Sequence, residues 1–456
     1  VDGNYSGQVF SGKLRVEVFQ EKDKSVAAVV MNNIGEKGNL YDDGVDTFIT
    51  GSAPNNYIWY SGKLWRAVSV NNEEKTVKLV TQWNISAVTY NPVDKTNFEG
   101  SYIEDWLNDT TVDGFLGNLR DYENFIVTDS VWDATMDDTA LGSLEGPNRT
   151  ATTTAPVGLL NMYEYQTSYH GTTYSKGYLN NGLSWWTLTP YNSSIVRIVL
   201  NNGNATNYGP SYAYGVRPSI NLKSNIKIVK GNGTKGNPYR LKGDNDTNLQ
   251  GARLSSRYSG EYVLFGNDEN NLYRIVSHEN GSGTNIVSEK PLKNSGEFIE
   301  RAFGNDPTFS SSNTIGSFLN GDYLTNYVDS KYINMIEDNT TWYLGTVGGG
   351  TSYKLAKYTN TTDNILTSST VTAKIGLLRL GELMAGQFGG ALNKTSYWTL
   401  TPYDPFNVRL INIAGIAIVG NPSDANGVQP SFNLKAKVII TSGNGTLQNP
   451  FTIELG

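Results

Sequence analysis

The chain has 456 residues, of which 17% are charged, with a net charge of −7 and no cysteine. The missing thiols exclude thiolate metal sites, thiol nucleophiles and disulfides. No basic run offers an electrostatic footprint for nucleic acid, and no stretch reaches the roughly 18 consecutive apolar residues of a membrane span.

The length admits two or three domains with separate cores. Gly, Asn, Ser, Thr and Tyr are abundant, the residues of turns and exposed strands. This palette points to a β-rich secreted or cell-surface protein. The first residue is Val1 rather than Met, so a processed N-terminus is expected. The acidic balance favours solubility. Thirteen Asn-X-Ser/Thr sequons occur, and Asn84, Asn204, Asn232, Asn339, Asn360 and Asn444 are glycosylation candidates among them. A chain this rich in Asn, Ser and Thr also makes sequons by chance.

In chain order, residues 1–56 come first. "QVFSGKLRVEVFQ" from Gln8 and "SVAAVVMNN" from Ser25 both read as strands. Two strands alone are marginal in water. This β segment is therefore expected to pack against the domain after it or to pair with another molecule. "NYIWYSGKLWRAVSVN" from Asn56 predicts two strands around a Ser61-Gly62 turn. "KTVKLVTQ" alternates and predicts a third strand. "SYIEDWLND" starts a helix, with Ser101 as cap and Glu104 completing a capping box. "VGLLNMYEY" is an apolar segment followed by a brief helix. "WWTLTPY", "IVRIVLNN" and "VRPSINLK" predict three short strands, and "NIKIVKGNGTKGNPYRL" predicts a strand, a turn and a strand. The polar "KGDNDTNLQGARLSS" from Lys242 reads as a linker.

The same landmarks then return. W-T-L-T-P-Y stands at Trp186 and at Trp398, 212 residues apart. "GVRPSINLK" at Gly215 answers "GVQPSFNLK" at Gly427, and "GNGTKGNPYRL" at Gly231 answers "GNGTLQNPFTI" at Gly443. Trp106-Leu107-Asn108 answers Phe318-Leu319-Asn320, "PVGLL" at Pro156 answers "KIGLL" at Lys374, and "LWRAVSV" at Leu64 answers "LYRIVSH" at Leu272. So long a period means two globular copies rather than a solenoid. The expected organisation is an N-terminal segment over 1–56, a first copy over 57–245, a linker over 246–257 and a second copy over 258–456. Each copy is expected to be α+β and β-rich.

This order of an aromatic-Arg strand, a W-L-N helix, a G-L-L segment, a W-W or Y-W phrase ending in Pro, and G-V-R-P resembles a poorly characterised domain family. Its members occur in surface proteins of Gram-positive bacteria. They are similar to C-type-lectin-like folds of the formylglycine-generating-enzyme type. The resemblance covers most of the chain. It implies two tandem C-type-lectin-like domains that serve as surface modules, displaying loops or binding other molecules. The enzymatic branch of that wider fold uses cysteines, and this chain has none. The E-P-N, Q-P-D and W-N-D phrases of calcium-dependent sugar binding are missing as well.

The physical reading of the repeated phrase is scaffold. Adjacent aromatics on a strand point to opposite faces. Trp186 and Trp398 are expected to fill cores, while Trp185 and Tyr397 cover an edge or groove. Pro190 and Pro402 end strands, and Pro218 and Pro430 repeat that punctuation. Arg197 and Arg409 are expected to hold a carboxylate or to stack on a tryptophan inside the fold. Arg217 has Gln429 as its counterpart.

Signals for chemistry are sparse. His170 and His278 lie in non-equivalent places without a nucleophile elbow. "GTVGGGTSY" from Gly345 lacks the lysine of a phosphate-binding loop. "GDNDTN" and "GNDENN" carry calcium-like oxygens but no glutamate at the twelfth loop position. No cofactor is expected. The expected function is therefore non-enzymatic and extracellular. The leading reading is a self-assembling subunit of a filament or surface layer with strand-mediated contacts. The alternative is an adhesin or carbohydrate-binding module whose exposed Trp185, Tyr191, Tyr212 and Tyr214 form a stacking platform for a glycan or host-surface ligand.

Overall fold

The computed structural model describes residues 23–136, 150–278, 283–344, 370–388 and 394–456. Strand content exceeds helix throughout, in several separate sheets. Ser61 and Gly62 both take positive φ, 51° and 72°, the left-handed geometry that a two-residue hairpin turn demands. They join the strands Tyr57–Tyr60 and Lys63–Asn71. Val77–Thr81 pairs beside them, and Ser219–Leu222 pairs beside that. The resulting sheet has nine strands. A second sheet of five strands centres on Trp185–Pro190, flanked by Val196–Val199 and Ala213–Val216. The chain passes from the second sheet to the first at Arg217-Pro218, between Ala213–Val216 and Ser219–Leu222.

Two expectations for the N-terminal region meet the structure differently. "QVFSGKLRVEVFQ" lies outside the described residues. "SVAAVVMNN" is not a strand: Val26–Asn32 is a helix whose cap, Ser25, accepts a hydrogen bond from Ala28 N. Two adjacent alanines favour helix over strand. Val26, Ala27 and Val30 all reach the core, a helical spacing rather than an alternating one. The strands Gly38–Asp42 and Asp46–Gly51 then extend the large sheet through pairing of Asp46–Phe48 with Ser69–Asn71.

The second half repeats the pairing of the first. Trp185 faces Gly215 in a parallel pair, and Tyr397 faces Gly427 in another. Trp186 opposes Ile198, and Trp398 opposes Leu410, each with a register shift before the closing proline. Tyr57 opposes Arg66, and Tyr262 opposes Arg274. The W-L-N helices Tyr102–Asn108 and Thr314–Asn320 are capped by Ser101 and Asn313. Glu104 reaches back to Gly100 N rather than to the cap itself. A full capping box occurs instead at Asn161 and Glu164, before the helix Met162–Ser168.

The repeated asparagine has a clear task. Asn108 donates to Val157 O at 3.0 Å and accepts from Val157 N at 2.9 Å. Asn320 treats Ile375 in the same way at 3.1 and 3.0 Å. Each clamps the G-L-L segment to the helix. The glycine of that segment lies flat against a buried indole, Trp132 for Gly158 and Trp342 for Gly376.

The expected division of labour in the aromatic pairs is corrected by burial. Trp185, Trp186, Tyr397 and Trp398 are all buried. Elements cover both faces of these strands, so neither aromatic is left at an edge. Trp186 Nε1 donates to Val88 O, and Trp398 Nε1 donates to Arg301 O. Pro190 and Pro402 end their strands as expected. The carbonyls of Pro218 and Pro430 accept from Thr81 N and Ser288 N, both at 3.1 Å. Arg197 and Arg409 stack on Tyr191 and Tyr403, each at 4.3 Å, rather than on a tryptophan.

One core cluster runs from Val26 to Leu241 and takes in Leu383, Met384 and Phe388 of the second half. Another spans Leu254 to Ile453. A small cluster including Ala87, Ala213, Tyr397 and Ala417 joins the two halves. Ser184 N donates to Ala414 O at 2.7 Å across the same junction. The region read as a linker is well engaged. Asp246 takes both Arg120 nitrogens at 2.7 and 2.9 Å and Arg257 at 2.8 Å, and Leu254 is buried.

Candidate ligand pocket

The strand Lys63–Asn71 carries Arg66 inward, opposite Tyr57 on the neighbouring strand. The guanidinium lies 3.8 Å from the Tyr57 ring centre and 4.7 Å from that of Tyr178. Its Nε donates to Asn56 Oδ1 at 2.7 Å. Its terminal nitrogens are held loosely, with Gln82 Oε1 and Pro54 O both at 3.4 Å. Ordinary N–H···O bonds are about 2.9 Å, so the fork keeps hydrogen-bonding capacity in reserve.

That fork borders a pocket of about 470 Å³ lined by Pro54, Asn55, Tyr57, Arg66, Gln82, Ser175, Lys176, Tyr178, Asn180, Thr234 and Lys235, among others. The volume lies within the range of small-molecule sites. Among the described residues, cations and uncharged donors line it, and no carboxylate does. Exposed Lys176 and Lys235 stand at its rim, and Lys235 sits 5.1 Å from the half-buried Trp83 ring.

Arg217 lies behind this floor. Its Nε donates to Thr81 O at 3.0 Å and its Nη1 to Leu179 O at 2.8 Å. Its Nη2 is buried with no hydrogen-bond partner. The guanidinium also covers the Trp185 ring at 4.7 Å, which explains the burial of that tryptophan. Burial pushes Arg217 down to about 9, a shift that neighbouring Arg66 deepens and Tyr165 partly offsets. Burial likewise lowers Arg66, with Tyr57 and Tyr178 pulling it back. Among the described residues neither arginine has a carboxylate partner. Buried charges are ordinarily paired, so two adjacent unpaired guanidiniums are unusual.

Several other charged groups in the fold are paired. Lys78, beside a polar hollow of about 400 Å³, is paired with Glu164. At the junction, Arg257 is bonded to Glu261 at 2.6 Å and Arg120 to Asp246 at 2.7 Å. Burial pushes Asp244 up to about 7 although Arg120 pulls it down. These acids belong to the "GDNDTN" turn and its neighbourhood, where arginines rather than open solvent face them. Among the described residues no group of three His, Asp or Glu side chains is arranged to hold a metal.

The residues expected to form a stacking platform are not brought together on the surface. Trp185 and Tyr214 are buried, at 1% and 5% exposure, while Tyr212 is 58% exposed. Tyr212 and Tyr214 flank Tyr208, but Tyr191 is taken up by Arg197. Among the glycosylation candidates, Asn84 is fully buried and donates to Ser184 O, so a glycan cannot reach it in the folded chain. Asn204, Asn232 and Asn339 are exposed, Asn444 is half-buried, and Asn360 lies outside the described residues. Asn232 and Asn444 each accept from the backbone and hydroxyl of the threonine two residues on, at 3.2 and 2.8 Å. Their sequons are thus also turn motifs.

Sequence reasoning missed Arg66, Gln82 and Tyr178 as a group. The exchange of Arg217 for Gln429 was visible. The matching exchange of Gln82 for Glu289 was the other half of the signal.

Residues 74–224 match a family described as a domain of unknown function, DUF6273. That stretch includes Gln82, Tyr178 and Arg217 and begins just after Arg66. Comparisons with curated proteins and with solved structures gave no match. No helix among the described residues is long and apolar enough to cross a membrane.

Proposed function

We propose that this chain is a non-enzymatic extracellular binding protein made of two tandem C-type-lectin-like units, whose first unit holds a ligand in the Arg66 pocket. The tandem reading is supported by the matched strand registers and by the Asn clamps that recur in both halves. The binding reading is carried by one observation: an open pocket whose floor is a buried arginine with loosely held terminal nitrogens. Small-molecule sites combine such a concave shape with a few convergent polar groups. The recurring aromatics, prolines and asparagines are occupied in packing, which favours binding over catalysis.

A glycan array probed with the soluble full chain tests this. Selective binding is expected, and it should fall when both rim lysines are reversed in a Lys176→Glu, Lys235→Glu variant. Both side chains are exposed, so the fold is expected to tolerate the change. Binding that is indiscriminate, or selective but untouched by the double variant, would remove the pocket from the function.

A second reading, a self-assembling surface subunit, is favoured by a different feature. Ala417–Gly420 is an edge strand that exposes Ile418 and Val419 near exposed Ile413. Unprotected apolar edges invite pairing with another chain. If the N-terminal "QVFSGKLRVEVFQ" segment supplies that pairing, removing Val1 to Gln20 should leave folded monomers. Unchanged fibres of the truncated chain under negative-stain microscopy would rule it out.

A further inference from the structure

The two halves of the chain provide an internal comparison at the Arg66 position. Arg274 is its counterpart. It lies opposite Tyr262 in the same register and is stacked between Tyr262 at 4.5 Å and Phe388 at 5.1 Å. Thr81 and Ser288 hold equivalent places, opposite Trp65 and Tyr273. The next residue is Gln82 in the first half and Glu289 in the second. Behind it, Arg217 Nε donates to Thr81 O, and Gln429 Nε2 donates to Ser288 O at 2.7 Å.

The formal charge of the layer therefore differs. The first half has Arg66, Gln82 and Arg217, two positive charges and no negative one. The second half has Arg274, Glu289 and Gln429, one of each sign. Glu289 Oε2 lies 3.8 Å from Arg274 Nε and is buried with it. Burial lifts this carboxyl and Arg274 pulls it back. The second position is also closed. Gly62 O of the first half stands 3.5 Å from Arg274 Nη2, and Lys63 Nζ donates to Ser259 O at 2.8 Å beside it. The first position instead opens onto the pocket.

We infer that the first pocket takes a carboxylated sugar, whose carboxylate brings to Arg66 the negative charge that Glu289 brings to Arg274 and that Gln82, 3.4 Å from Arg66 Nη1, does not carry. This deepens the binding reading above and rests on it. A guanidinium fork matches a carboxylate with two parallel hydrogen bonds. Two unpaired buried guanidiniums supply attraction that the low local dielectric strengthens. The rim supplies the rest of the selectivity. Ser52, Asn55, Ser175, Asn180 and Thr234 present hydroxyl and amide groups suited to sugar hydroxyls.

Calorimetric titration of the full chain with glucuronate, glucose and acetate tests the inference. Glucuronate should bind, acetate should compete more weakly, and glucose should not bind at the same concentration. The Gln82→Glu variant builds the second half's arrangement into the first. It should fold and should bind glucuronate at least about tenfold more weakly, the loss of a charge-assisted contact. Raising salt from about 50 mM to about 500 mM should weaken binding to the unmodified chain, since the rim lysines are exposed. Equal binding of glucose and glucuronate would keep the pocket as a sugar site and overturn the acidic class. Equal binding of acetate would overturn the sugar. Undiminished binding by Gln82→Glu would overturn the role of the arginines, and salt-independent binding of glucuronate would overturn that of the rim lysines. No binding by any of the three would overturn both this inference and the binding reading.

Discussion

Single residues explain why the chain repeats itself where it does. Gly158 and Gly376 carry no side chain because an indole occupies the space. A Cβ on Gly158 would stand 2.5 Å from the Trp132 ring, and one on Gly376 would stand 2.6 Å from the Trp342 ring. Trp132 is 1% exposed and donates to Ala155 O, so it has nowhere to retreat. Gly158→Ala should therefore lower stability by about 1–3 kcal/mol, the usual range for overpacking. Gly236→Ala is the control, since a Cβ there meets nothing within 4 Å and should change stability by less than about 0.5 kcal/mol. Urea unfolding that ranks the two variants equally would contradict this account of the G-L-L segment. The glycine was legible as part of a repeated phrase. Its reason was not, because Trp132 and Trp342 sit in phrases, "VWDA" and "TWYL", that share little besides the tryptophan.

Elements were legible where a local signal decided them. The Ser61-Gly62 hairpin, the W-L-N helix and the strands ending at Pro190 and Pro402 follow from turn chemistry, capping and proline. Val26–Asn32 reads as a strand in sequence because a short run of Val and Ala has no periodicity of its own. Its cap is local, since Ser25 accepts from Ala28 N, while its packing into the first core is a tertiary fact. The Trp185-Trp186 pair misleads for a related reason. Alternation assigns one residue of a strand to each face, but it cannot say whether the second face is covered. Here Arg217, Tyr165 and the second half cover it. The platform expected from Trp185, Tyr191, Tyr212 and Tyr214 fails at this scale, since the fold sends those rings into separate surroundings.

At the scale of the whole molecule, the relation between the halves makes one pocket rather than two. The turn at Ser61–Lys63 reaches across and closes the position around Arg274, while nothing in the described chain closes the one around Arg66. Lys63 is buried in that contact, and burial together with nearby Arg274 pushes its ammonium down to about 7. At the same junction Arg120 is paired with Asp244 and Asp246, and Arg257 with Asp246 and Glu261. The unbalanced layer of Arg66 and Arg217 lies beside the open pocket. Duplicated sequence would ordinarily imply duplicated sites, and the sequence taken alone would allow two. Equilibrium dialysis of the full chain against labelled glucuronate decides between these directly. A single saturable site per chain is the predicted result; two equivalent sites, or none, would contradict the account.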